Sequence, residues 1–98
     1  MSLLVTFHYA ARAEFIEASA WYESRRSGLA IDFMEEIERC VSLAAESPHQ
    51  FPAVHEDIRR VLVQHFPYSV FFRPEANRIV VLAVFHSRRD PAVWLGRT

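Results

Sequence analysis

The spacing of apolar residues changes period twice along this chain. Leu3 to Phe7, LLVTF, is a short apolar run without helical spacing and predicts a strand at the start. From Tyr9 the period lengthens. Ala11, Phe15, Ala18 and Tyr22 recur at spacings of four, three and four, one stripe of an amphipathic helix, with Glu14, Glu17, Glu23 and Arg25 mostly off it. Ser27-Gly28 closes this helix, because glycine accepts the left-handed conformation that follows a last turn. Ala30, Phe33, Ile37, Val41 and Ala44 repeat the stripe in a second helix that Pro48 stops. So short a link makes the two helices an antiparallel hairpin.

The second half shortens to a strand period. Arg59 to Phe66 (RRVLVQHF), Tyr68 to Arg73 (YSVFFR) and Arg78 to His86 (RIVVLAVFH) are β-branched and aromatic runs. Pro74 to Asn77 is a tight turn that joins the last two as a hairpin. In the last run Val80, Leu82 and Val84 alternate with Ile79, Val81, Ala83 and Phe85, so both faces are apolar and the strand is central or covered twice. The order β-α-α-β-β-β is an α+β fold: one domain over residues 1–98, mainly antiparallel, with the helical hairpin packed on one face. The residues after Asp90 are too few to cover the other face, which is left as a concavity or as the seat of a partner. In PAVWLGR, which can form one more helical turn, Trp94 either caps that face or stands out as an anchor for the partner.

Composition narrows the classes. No apolar run approaches the roughly 20 residues needed to span a bilayer, and MSLLVTFHYA lacks the basic flank of a signal peptide, so a cytoplasmic protein with no membrane contact is expected. Cys40 stands alone in the second helix, which excludes an intramolecular disulfide and makes it a small buried hydrophobe. The five histidines are separated by 41, 6, 10 and 21 residues, no pattern for a metal; no metal or cofactor is expected. The net charge of -1 conceals an asymmetry: residues 1–50 sum to -4 and residues 51–98 to +3. All 11 cations are arginine, each a planar fork suited to carboxylate or phosphate, although a GC-rich genome produces the same bias.

The cations gather near the end, in VFHSRRDPAVW (Val84 to Trp94). Arg60, His65, Arg73, His86 and Arg89 lie at or beside strand ends. If they converge on one rim, arginine can neutralise a phosphate while histidine moves the proton of an attacking 2′-hydroxyl, which is metal-independent RNA cleavage. The same region supports a binding surface made of Arg73, His86, Arg88, Arg89, Trp94 and Arg97. Arg88 and Arg89 are successive and point to opposite faces, so one of them is free to pair with an acid such as Asp90, Glu14 or Glu17.

Three segments together carry a family likeness. A..EF.EA..WYE (Ala11 to Glu23), RR.LV..FPY.V.F (Arg59 to Phe72) and I.VLAV.H.RRDP..W..R (Ile79 to Arg97), in this element order, resemble the RelE/ParE superfamily of toxins from bacterial type II toxin-antitoxin modules. The likeness is strongest to the ParE-type branch often labelled plasmid stabilisation proteins. It implies a growth inhibitor held in a hetero-oligomer by a ParD-like antitoxin whose C-terminal segment folds along the toxin's groove. For the ParE-like branch the implied target is DNA gyrase, inhibited by binding. For the RelE-like alternative the implied activity is cleavage of mRNA on the ribosome; a third reading is an interaction domain without toxicity. The chain departs from the RelE pattern in having no lysine and no tyrosine after Tyr68, which leaves Arg73, His86, Arg88 and Arg89 as a sparse nuclease set. It also has His8-Tyr9 where relatives begin the helix with a Ser/Thr-Pro cap, a change expected to weaken the first turn by about 1 kcal/mol.

Overall fold

In a computed structural model that describes residues 2–97, both helical stripes face inward: α1 spans Tyr9–Arg25 and α2 spans Leu29–Glu46. Ala11, Ala18 and Tyr22 of α1 and Phe33, Ile37, Cys40, Val41 and Ala44 of α2 are buried together. The Cys40 thiol is pushed up to about 11 by burial, so it stays a neutral packing group. Gly28 links the helices at φ +89°, and Glu23 accepts hydrogen bonds from the Gly28 and Ala30 amides, satisfying the start of α2. The start of α1 is not left bare. His8 acts as its cap, its Nδ1 accepting from the Ala10 amide at 3.1 Å, so the imidazole replaces the hydroxyl cap expected to be missing.

The hairpin covers one face of a five-stranded sheet ordered β1-β5-β4-β3-β2, where β1 is Leu4–Phe7, β2 Ala53–His55, β3 Ile58–Leu62, β4 Tyr68–Pro74 and β5 Arg78–His86. β5 is central, as its two apolar faces require, with β1 parallel on one side and β4 antiparallel on the other. β2 is absent from the sequence reading; it is three exposed residues on the sheet's edge, with no alternation to betray it. The run predicted to Phe66 ends at Leu62 instead. There the Gln64 amide leaves the ladder to donate to Glu36 on α2 at 2.7 Å, and His65 turns through a left-handed φ of 70°. Glu36 also takes a two-pronged bond from Arg39, 2.8 Å to each oxygen.

A bulge divides β5. Phe71 pairs with Ala83 but Phe72 pairs with Val81, so Leu82 has no partner on β4. Before the bulge Ile79 and Val81 face the helices; after it Val84 does, while Val80, Leu82, Ala83 and Phe85 all face the other way. The strict alternation read from the sequence therefore breaks at Leu82.

The second face is not bare either. A short C-terminal helix, α3 (Ala92–Leu95), folds back over it and lays Trp94 on Phe71, the rings nearly parallel with centroids 4.2 Å apart. Trp94 is 3% exposed and forms a second core with Ile58, Phe71, Leu82 and Phe85. The few residues after Asp90 cover this part of the face because one indole covers about as much surface as several aliphatic side chains, and the rest of the face stays open around Leu62.

Two outcomes follow. Replacing His8 by Ala should cost about 1 kcal/mol in urea or thermal melts and His8→Ser should recover most of it; equal stability of all three would show that the imidazole is not the cap. Arg39 holds the Glu36 carboxyl below its ordinary value, burial opposing and the Gln64 amide assisting. Because that pKa is lowered on folding, its contribution is complete above the ordinary value near 4.5 and is lost as pH falls through the folded value. Glu36→Gln should thus lower the melting temperature at neutral pH and flatten its fall under acid.

Candidate functional site

His86 ends β5, and the turn that follows it forms a ridge with a groove on either side. His86 and Arg89 line both grooves. The ring of His86 stands edge-on to Tyr68, centroids 5.2 Å apart, and its Nδ1 accepts from the Arg88 amide at 3.1 Å, which leaves Nε2 as the N–H of the neutral ring. Arg89 lies over the Phe85 ring, 4.4 Å from its centroid, and reaches Glu14 of α1 at 2.9 Å.

On the helix side, a cavity of about 550 Å³ opens between α1 and the end of the β4–β5 hairpin, walled by Trp21, Tyr22, Tyr68, Glu17 and His86. Burial raises the pKa of both tyrosines; Tyr68 adds to the rise at Tyr22, whereas at Tyr68 Arg89 pulls down and Glu14 pushes up. Both phenols are neutral donors at physiological pH. On the opposite face a groove of about 480 Å³ runs between β2–β3 and α3, lined by Arg60, Leu62, Phe71, Phe85, Trp94 and Leu95 among others.

Glu14 holds this end of the molecule together. β1 pairs with β5 only as far as Val81, so beyond it the edge of β5 has polar groups with no strand to bond. Glu14 Oε1 accepts the Val84 amide at 3.1 Å, and Arg97 Nη1 donates to the Leu82 carbonyl at 2.8 Å. Arg97 also grips both Glu14 oxygens at 2.9 Å. Glu14 and Arg97 side chains are only 11% and 12% exposed, whereas Arg89 is 46% exposed.

The structure separates most of the predicted set. Arg73 lies opposite Val80 and His86 opposite Tyr68, so they sit at contrary ends of the hairpin, five residue steps or about 17 Å apart along β4. Arg73 is bound at its own end to Glu75, 3.1 Å away, which Arg78 shares; these bonds lower the Glu75 carboxyl. His65 belongs to another cavity with Arg26, Glu36 and Arg39. Arg60 and Arg89 do share the helix-free groove with His86. Arg88 is exposed and its side chain has no ion-pair partner among the described residues. Trp94 and Arg97, expected as partner contacts, are turned inward: one stacks on Phe71 and the other is spent on Glu14 and Leu82. Glu14, by contrast, is expected off the apolar stripe and is not among the predicted site residues. Its spacing of three from Ala11 and four from Ala18 sets it inside that stripe, and an acid there signals a buried partner.

A family model described as "ParE toxin of type II toxin-antitoxin system, parDE" matches residues 5–91. The chain belongs to the ParE toxin family. The resemblance carried by the three sequence segments is thus borne out, on the ParE side of the superfamily. The fold agrees: a solved structure titled "Chromosomal ParDE TA system from P. aeruginosa" is similar with a TM-score of 0.75 at 17% identity, covering 87% of this chain and 96% of that one. At that identity the shared feature is the ParE fold. No curated protein matches the chain. The match to the ParE family stops at Pro91, so α3, with Trp94 and Arg97, lies beyond the matched span.

A graded series tests the Glu14 network. Arg97→Ala should destabilise by about 3 kcal/mol or more, because it strands a nearly buried carboxylate. Arg89→Ala should cost no more than about 1 kcal/mol, its pair being half exposed, and Arg88→Ala nothing beyond about 0.5 kcal/mol. Chemical denaturation reads all three, and equal costs at the three arginines would refute the assignment.

Proposed function

We propose that this ParE-family chain is the growth-inhibiting toxin of a type II module, that it acts by binding DNA gyrase in the cytoplasm, and that a ParD-like antitoxin neutralises it by lying in the helix-free groove in a toxin-antitoxin hetero-oligomer. The observation that carries the choice of binding over cleavage is the separation of the cationic set: Arg73 is at the far end of the hairpin from His86, and His65 opens into a different cavity. Arg97 is consumed by Glu14, and Arg89, the arginine that lines the helix-side cavity among the described residues, shares the same carboxylate, so its charge is already answered before any phosphate arrives. The groove, in contrast, has what a docking segment uses. Leu62 is 65% exposed at its floor, Val54 and Leu95 are 40% exposed at its rims, and Phe71, Phe85 and Trp94 back it rigidly.

One arrangement favours the RelE-like alternative as a second reading. Tyr68, His86 and Arg89 do meet around the helix-side cavity, a proton carrier beside a cation. The two readings separate in paired assays with purified chain, one of gyrase supercoiling and one of translation on ribosomes with mapped mRNA ends. The account expects lost supercoiling and intact mRNA, and His86→Gln should leave inhibition within a few-fold. Codon-dependent cuts with normal supercoiling, and a fall of about a hundredfold or more in His86→Gln, would replace it with the nuclease. Unchanged growth on induced expression would leave the interaction domain without toxicity.

A further inference from the structure

Arg60 is the anomaly of the helix-free groove. On β3 it stands opposite Phe71 and so projects from the same face of the sheet, into the groove shared by Leu62, Phe85 and Trp94. Its neighbour Arg59 also has a buried Nε without an acceptor, but the rest of its guanidinium is provided for: Nη1 donates to the Phe51 carbonyl at 2.7 Å and Asp57 lies 3.7 Å away. Arg60 has no side-chain hydrogen bond and no ion pair among the described residues, and its Nε is wholly buried without an acceptor. A guanidinium carries five N–H donors, and leaving one buried and unmet is costly, so such a group normally marks an absent acceptor.

The lining says what kind of acceptor. It contains Arg60, Arg89, His55 and His86 and no acid at all, in a chain whose net charge is -1. Arg89 already has Glu14, which leaves Arg60 as the unanswered charge. We infer that Arg60 is the specificity anchor of the groove: it receives an Asp or Glu carboxylate from an amphipathic partner segment whose apolar stripe covers Leu62, Phe71 and Leu95. This rests on the docking reading above and adds to it the partner's sign and the residue that selects it. A phosphate chain is the poorer fit. Nucleic acid demands several unpaired cations in a row, whereas this groove has one and is otherwise floored with aliphatic and aromatic carbon. A carboxylate at the margin of an apolar stripe matches both features, and a planar guanidinium takes it in two parallel bonds.

Selection from displayed amphipathic peptides, with leucines fixed at helical spacing and all other positions randomised, tests this on the intact chain. Against the wild type, selected peptides should carry Asp or Glu at one recurrent position. Against Arg60→Gln that preference should vanish, and against Arg60→Glu it should invert to Lys or Arg. Peptides selected on the wild type should bind Arg60→Gln about ten- to a hundredfold more weakly. Arg60→Lys keeps the charge with a single donor head and should retain a weaker acidic preference, which covers the case of a misfolded Arg60→Gln. Peptides with a leucine stripe but no acidic preference, or with equal affinity for wild type and Arg60→Gln, would overturn the inference and leave the docking reading standing. If no peptide is retained, or if retained peptides ignore Leu62→Asp, the docking reading fails and the inference with it. A single-stranded RNA oligonucleotide that binds and is lost in Arg60→Gln, with no peptide retained, would assign Arg60 to phosphate instead.

Discussion

β1 stops before β5 does, and one carboxylate makes good the difference. Where the parallel partner ends at Phe7, the Val84 amide and the Leu82 carbonyl face outward with no strand to meet them, and a bulge at Leu82 has already disturbed the pairing on the other side. Glu14 takes the amide, Arg97 takes the carbonyl, and the two close on each other. An unsatisfied backbone group in such a place costs about as much as a lost hydrogen bond, and the central strand has two. Everything C-terminal to His86 is arranged by this closure, since Arg97 reaches the bulge only if the chain has turned back across the sheet and laid Trp94 on Phe71.

That geometry creates the groove instead of filling it. α3 covers one half of the helix-free face and becomes a wall; β2, carried on the β3 edge, becomes the other wall; between them Leu62 stays open and Arg60 stays unanswered. The cation-rich turn from His86 to Arg89 is the ridge between this groove and the helix-side cavity. Its two arginines divide within the turn that follows β5, Arg89 bound to Glu14 and Phe85 and Arg88 turned to solvent. A ParE-family chain so built presents a shaped apolar surface with one unpaired arginine, the features on which the proposed docking of another protein rests.

The sequence made the frame legible where one periodicity ran unopposed. Both helical stripes, the central placement of β5 and the β4–β5 hairpin follow from spacing that burial enforces. What escaped was decided by single polar contacts. β3 ends early because Glu36 takes the Gln64 amide, the alternation of β5 slips because Leu82 bulges, and α1 keeps its cap because an imidazole nitrogen can accept as a hydroxyl oxygen does. β2 left no signal, being three exposed residues. At the site, lying at a strand end is too little to imply convergence: Arg73 and His86 are both strand-end residues, but antiparallel pairing puts those ends apart. The number of residues after Asp90 predicts a bare second face, but the area of one tryptophan, not the residue count, decides how much of it is covered.

The central claim is that Glu14 joins the bulge of β5 to the C-terminal wall of the groove, and amide hydrogen exchange reads that joint directly. In the wild type the Val84 amide should be protected by its bond to Glu14, and the amides of Trp94 and Arg97, which close α3, should open only with it. In Glu14→Ala, Val84, Trp94 and Arg97 should lose protection together while Val70 and Phe72, deep in β4, keep theirs. Retained protection at Val84, or loss there with α3 unaffected, would contradict the account.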